Sequence, residues 1–335
     1  MSTPILIRHD NSTGNLGDVL IWKGLVNLMV LKKRDWDFLY VDKFSEKDFA
    51  KKLPLIREAG FVIFAGTPQY SCYDDWSFWW DREIYTKYCL PYSIQVFSIA
   101  GGSGAVGTIE TPAQFTARCR TSVETDRMMK LRAMINPALT VRDAHADMLL
   151  KSYDSAHKLL PCTAAWSLMN CTPRQDHLVL GLPGFNHYSP TNNGPSILEL
   201  IEKFKVIYKL AEQEGYNPVF GCPGMDAGIK FSPFLEGYRH FIPETTLQWQ
   251  EFLAQASGSI SCRIHVSIPM AYFPEKKSIL LPIDSRGSAA KIVGIPLASV
   301  MDSPEALFKQ WKNSVVIDNL TKAQKMYLKL FDQIP

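Results

Sequence analysis

Apolar runs of strand length alternate with amphipathic runs of helical length along almost all of this 335-residue chain. The alternation breaks at the polar stretch Asn170-Cys171-Thr172-Pro173-Arg174-Gln175-Asp176 and then starts again. Repeated β–α units fold as parallel sheets covered by helices on both faces. Two such series joined by one linker predict an α/β chain of two Rossmann-like domains facing each other across a cleft. Residues 1–172 would form the N-terminal domain, 177–302 the C-terminal domain and 303–335 a pair of closing helices. Strands are expected at 4–8, 37–41, 61–65, 93–100 and 139–141, and again at 177–182, 218–220, 258–261 and 278–283. Thr111 with Gln114, and Ser196 with Glu199, have the spacing of capping boxes and mark two helix starts; Gly215 stops the second helix. Ligands of such folds bind beyond the carboxyl ends of the strands.

The hydrophobic fraction of 46% and charged fraction of 21% are those of a soluble globular chain. A net charge of +3 suits a small anionic ligand and is too weak for nucleic acid. The seven cysteines are an odd number with no C-x-x-C pair, as expected of free thiols in a reducing compartment. The N-terminus has no basic stretch followed by an apolar core, and no apolar run approaches the ~20 residues of a membrane span. A cytoplasmic protein is expected. The histidines have no metal-ligand spacing, so no metal is expected. The run from Gly102 to Gly107 reads G-x-G-x-x-G, but no helix opens there directly, which argues against a dinucleotide.

Two motifs stand at strand-to-helix junctions, where backbone N–H groups favour an anion. Asn15-Leu16-Gly17-Asp18 opens the first helix, and Arg263-Ile264-His265 opens a helix in the second half. Together with the glycine-bearing strand ends at 61–66 and 97–104, Val141-Arg142-Asp143 before a helix, and Ile283-Asp284-Ser285-Arg286, they form an ordered set from 15 to 286. In this set the chain resembles the polysaccharide pyruvyl transferase family. The resemblance implies a fold of the GT-B kind. It also implies transfer of a pyruvyl group from phosphoenolpyruvate to two hydroxyls of a sugar, giving a cyclic ketal and phosphate. Phosphoenolpyruvate and a saccharide or glycolipid acceptor would then be the partners, with no separate cofactor. The chain departs from the family at Cys162-Thr163-Ala164-Ala165, where Asp-Pro-Ala is common, and at Pro183-Gly184-Phe185-Asn186, where an arginine often ends the strand.

Under that reading Arg263 and Arg286 hold the donor's anions, and His265 acts as general acid or as an imidazolium on phosphate. Asp18 contacts an acceptor hydroxyl, or only supports its helix start. Asn15, Gly17, Gly102 and Arg142 line the cleft, with Arg142 and Asp143 expected in structural ion pairs. Tyr73 and Trp76, with Asp74 and Asp75, lie in an aromatic-rich segment that suits a sugar platform, a packed helix or a homo-oligomer interface. Two other readings stay open. One is a nucleotide-sugar-dependent GT-B glycosyltransferase, although no carboxylate for ribose hydroxyls stands between 285 and 295. The other is a non-catalytic binding or assembly protein on the same fold.

Overall fold

Strands β3 (Phe61–Ala65) and β8 (His177–Gly181) are buried at every position, as required of strands covered on both faces. In this computed structural model the described residues are 5–8, 16–32, 36–42, 45–66, 68–70, 72, 84–104, 110–135, 139–183 and 195–335. Each of the two β–α series closes into its own sheet. The first takes β1 (Ile5–Arg8), β2 (Leu39–Asp42), β3, β4 (Pro68–Tyr70), β5 (Gln95–Ser103), β6 (Leu139–Val141) and β7 (Lys158–Leu159). Its order is β2-β1-β3-β5-β6-β7, with β4 beside β5. The second takes β8, β9 (Pro218–Gly221), β10 (His240–Phe241), β11 (Ala256–Ser261) and β12 (Lys277–Leu280), in the order β10-β9-β8-β11-β12. Every pairing between these strands is parallel. The chain is therefore an α/β protein of two Rossmann-like domains, the GT-B-like architecture expected.

Strand order reverses between β1 and β3 in the first sheet and between β8 and β11 in the second. Adjacent strands there send their chains to opposite faces, which opens a crevice beyond their carboxyl ends. The crevice in the first sheet is bordered by the Leu16–Val30 helix, and that in the second by the Ile264–Met270 helix.

Local signals place the helices as expected. Thr111 with Gln114 and Ser196 with Glu199 form complete capping boxes. The Ile197–Gln213 helix buries Leu200, Ile201, Phe204, Ile207, Tyr208 and Ala211, the stripe of a helix lying on a sheet. The strand expected at 278–283 stops at Leu280, so Arg286 does not end a strand but sits in the tight turn Ser285–Gly287. Strands β4, β7 and β10 are two or three residues long, too short for any periodicity to show in sequence.

The two domains share one apolar core. It runs from Leu20, Leu25 and Phe97 through the Thr163–Leu168 turn to Trp249, Val266 and Tyr327. Thr163 Oγ1 donates to Ile21 O at 2.8 Å, and Asn27 Nδ2 to Trp166 O at 2.8 Å, so the connecting turn is fastened to the first helix. The Leu320–Leu330 helix returns to the first domain, where the Tyr327 hydroxyl donates to Pro161 O at 2.8 Å. No helix among the described residues is long and apolar enough to cross a membrane.

Lys276 is 1% exposed, and its ammonium donates to Arg174 O at 2.8 Å, Ala254 O at 2.7 Å and Ala256 O. Burial pulls its pKa down to about 8, leaving it charged at neutral pH. It joins two carbonyls at the foot of the Thr246–Gln255 helix to the Arg174 carbonyl of the linker, tying the linker to the second domain. Lys276→Met should remove this shared donor, Ala254 O keeping only the Arg174 N–H, and lower stability by about 2–4 kcal/mol, read from denaturant unfolding.

Candidate functional site

The two sequence motifs meet in space. A Cβ built on Gly17, in the first turn of the Leu16–Val30 helix, would lie 2.5 Å from His265 Nδ1. Only glycine lets the N-terminal helix approach the imidazole of the other domain this closely. Asp18 follows, 8% exposed and within electrostatic reach of both His265 and Arg286.

Arg263 spans the crevice of the second sheet. Its backbone N–H donates to Ser261 Oγ at 2.8 Å, at the end of β11, and its Nε donates to Leu182 O at 2.9 Å, just past β8. Its side chain makes no ion pair with a carboxylate among the described residues. Burial, with Arg286 nearby, lowers its pKa to about 10, so it stays charged. Arg286 pairs with Asp284, its Nε 3.0 Å from both carboxylate oxygens. Burial opposes its charge, but Asp284, with Asp18 and Asp143 beyond it, raises its pKa on balance.

Arg142 comes from the first domain, between β6 and the Ala144–Lys151 helix. It is only 2% exposed. Its guanidinium lies along the end of β5, where a Cβ on Gly102 would be 2.5 Å from its Nε. Among the described residues its guanidinium has one hydrogen-bonding neighbour, the buried Cys162 thiol, with Nη1 to Sγ at 3.7 Å. The structural ion pairs expected of Arg142 and Asp143 with neighbouring residues do not form among the described residues: the Asp143 carboxylate instead accepts from the Ser103 and Ala146 backbone N–H groups at 2.8 and 2.9 Å.

His265 sits among these charges with its Nε2 buried and without a hydrogen-bond partner. Burial lowers its pKa to about 3, Arg142 adding most to this, with Arg286 and Arg263 behind and Asp18 opposing. In the ligand-free protein it is therefore a neutral imidazole; of the two roles expected from sequence, general acid or imidazolium on phosphate, the second needs an anion beside it to raise its pKa. Ser103 Oγ and Ser288 Oγ are also buried and unpartnered. Buried polar atoms are nearly always paired, so unpartnered ones together with guanidiniums that have no carboxylate partner among the described residues are bonding capacity that a ligand could take up.

Gly17, Asp18, Gly102, Arg142, Arg263, His265 and Arg286 thus converge at the domain boundary. Asn15, Tyr73, Asp74, Asp75 and Trp76 lie outside the described residues. Asp143 and Ser103 were missed as site residues. An Asp directly before a helix reads as a cap in sequence, and Asp143 does cap the Ala144–Lys151 helix. A cavity of about 630 Å³ lies elsewhere, along β10 and the Thr246–Gln255 helix, lined by Arg239, Phe241, Glu251 and Phe252. It touches none of the converging charges. No group of three or more metal-ligating side chains occurs among the described residues.

No protein-family model matches the sequence, and no curated protein matches it. Solved structures do. A Methanocaldococcus jannaschii UDP-GlcNAc 2-epimerase, in complex with UDP-GlcNAc and UDP, superposes with a TM-score of 0.56 at 12% identity, covering 99% of each chain. Staphylococcus aureus MnaA with UDP gives 0.56 at 10% identity over 100% of this chain and 99% of that one. The UDP-GlcNAc 2-epimerase of Rickettsia bellii gives 0.54 at 11%, covering 100% and 97%. At such identities the likeness is one of fold. It nonetheless overturns the pyruvyl transferase resemblance and, with it, phosphoenolpyruvate as donor, because the structures it matches include UDP-GlcNAc 2-epimerases and no pyruvyl transferase model matches. The physical reason is that short glycine- and arginine-bearing turns after parallel strands are what any two-domain fold of this kind needs. They specify an anion site, not a donor.

Two expectations follow from the charges. Arg142→Met should stabilise the ligand-free protein by about 1–3 kcal/mol, because an unanswered buried cation is replaced by an apolar chain of similar length; unfolding midpoints decide it. The neutral histidines set the acid limb. His265 and His177, whose pKa burial lowers to about 4, remain unprotonated in the folded protein while the unfolded chain takes up protons below 6.5. Stability should therefore fall as pH drops from 6.5 toward 4, by up to about 1.4 kcal/mol per pH unit for each histidine, and His265→Gln should flatten that slope.

Proposed function

We propose that this chain is a nucleotide-sugar enzyme that binds the diphosphate of its substrate between the two domains. One observation carries the reading: Arg142 and Arg263, from opposite domains, are guanidiniums with no carboxylate partner among the described residues. The diphosphate of a nucleotide sugar carries one negative charge on each phosphate, which answers the two cations. Arginine's planar fork suits phosphate oxygens, and a site shielded from water strengthens the attraction. The fold shared with structures holding UDP-GlcNAc and UDP supports the same reading.

In this assignment Arg263 and Arg286 hold the diphosphate on the C-terminal side, and Arg142 approaches it from the N-terminal side. The chemistry is at the bond between the anomeric carbon and the diphosphate. As that bond breaks, negative charge grows on the departing phosphate, and cations fixed beforehand lower the barrier without reorganising. His265, neutral and with Nε2 free, exchanges a proton or a hydrogen bond with the reacting groups. Asp18 meets a sugar hydroxyl. No metal or separate cofactor is assigned a part.

Calorimetric titration with UDP and UDP-GlcNAc tests the binding. Both should bind, and Arg142→Ala and Arg263→Ala should each weaken UDP by about 10- to 100-fold. Proton NMR of UDP-GlcNAc incubated with the protein, with and without sugar acceptors, then separates epimerisation of the sugar from its transfer. A protein that binds no nucleotide, or whose arginine variants bind as tightly as the wild type, would sink the assignment.

A further inference from the structure

The geometry of an anion site depends on what holds its cations, and around Arg142 that task falls to a neighbouring acid. Asp143 is 1% exposed, and both of its carboxylate oxygens are taken by backbone. Oδ1 accepts from Ala146 N at 2.9 Å, capping the Ala144–Lys151 helix. Oδ2 accepts from Ser103 N at 2.8 Å, at the last residue of β5. A cap needs only one acceptor, and Ser or Asn supplies it as well as Asp. The second oxygen reaches across to a different strand, and only a carboxylate offers an acceptor to both segments in this geometry.

The consequences fall on Arg142. Its backbone N–H donates to Gly101 O at 3.1 Å, and its guanidinium lies against Gly102, so the strand end fastened by Asp143 is the surface on which Arg142 rests. Because both oxygens are occupied, the nearest acid in sequence leaves the guanidinium without an ion pair. Ser103, whose N–H is fastened, holds a buried hydroxyl with no partner.

We infer that Asp143 is the positioning residue of the anion site: it clamps the end of β5 to the start of the Ala144–Lys151 helix and so presents Arg142 and the Ser103 hydroxyl to the bound diphosphate. The ligand named here rests on the nucleotide-sugar reading; the clamp itself does not. Asp143 also faces Arg286 of the other domain, whose charge it supports from behind.

Asp143→Asn and Asp143→Ser both keep a capping oxygen while removing the acceptor for Ser103 N–H. Hydrogen exchange should quicken at residues 101–104 in both variants, with the 144–151 helix protected as in the wild type. Calorimetric Kd values for UDP and for inorganic pyrophosphate should both rise on the order of tenfold in variants that stay folded at the titration temperature, their unfolding midpoint lowered by the loss of one buried hydrogen bond. Unchanged protection at 101–104, or faster exchange with both affinities intact, overturns the positioning role. A wild type that binds pyrophosphate but not UDP removes the nucleotide reading, while weaker pyrophosphate binding in the variants still upholds Asp143. Binding of neither anion by the wild type overturns both.

Discussion

Arg142 is withdrawn from water and Arg263 is part-buried, neither with a carboxylate to answer it among the described residues, and a buried charge of this kind costs several kcal/mol in a folded protein. The rest of the structure makes that cost tolerable. A core shared by both domains, the connecting turn fastened at Thr163 and Asn27, and the last helix anchored through Tyr327 hold the boundary closed. Neighbouring acids are spent elsewhere, Asp143 on backbone and Asp284 on Arg286. A fold selected for stability alone would pair these arginines. Leaving them bare is the pattern of a site that trades stability for binding.

The meeting of the charges follows from topology. Each sheet reverses its strand order once, and each reversal opens a crevice at its carboxyl edge. Arg263 bridges the ends of the two strands at the second reversal, and Gly17 opens the helix beside the first. Facing the two edges together brings a helix start, an imidazole and three guanidiniums to one place, although Gly17 and Arg286 are far apart in the chain. The charges then act on one another. His265 is neutral because burial and three arginines disfavour its proton, and an anion placed among them would reverse part of that penalty.

Much of this was legible in sequence where the signal was local. The capping boxes at Thr111 and Ser196, strand β3 and the Ala144–Lys151 helix all stand where hydrogen-bonding chemistry and periodicity put them. The short strands β7 and β10 carried no such signal, because they exist only by pairing with a neighbour. Ion pairing was the least legible. Arg142 and Asp143 were each expected to pair with neighbouring charges, yet among the described residues the Asp143 carboxylate turns to backbone N–H groups and Arg142 to a thiol, partners that no charge pattern in sequence announces. The pyruvyl transferase resemblance failed for a related reason. Its motifs described turns that cradle an anion, and turns of that kind do not distinguish one phosphate-bearing substrate from another.

By itself, the sequence determined the two β–α series, their break near residue 170, and the placing of small and cationic residues just past strand ends, because each rests on interactions among residues close in the chain. Tertiary structure alone decided which of those residues face each other and which charges go unanswered. Gly17 meets His265, Arg142 rests on Gly102, and Asp143 is drawn away to Ser103, all contacts between segments that only the packing of two sheets brings together. Charge state and ligand affinity depend on distance and burial in space, and these quantities do not exist until the chain is folded.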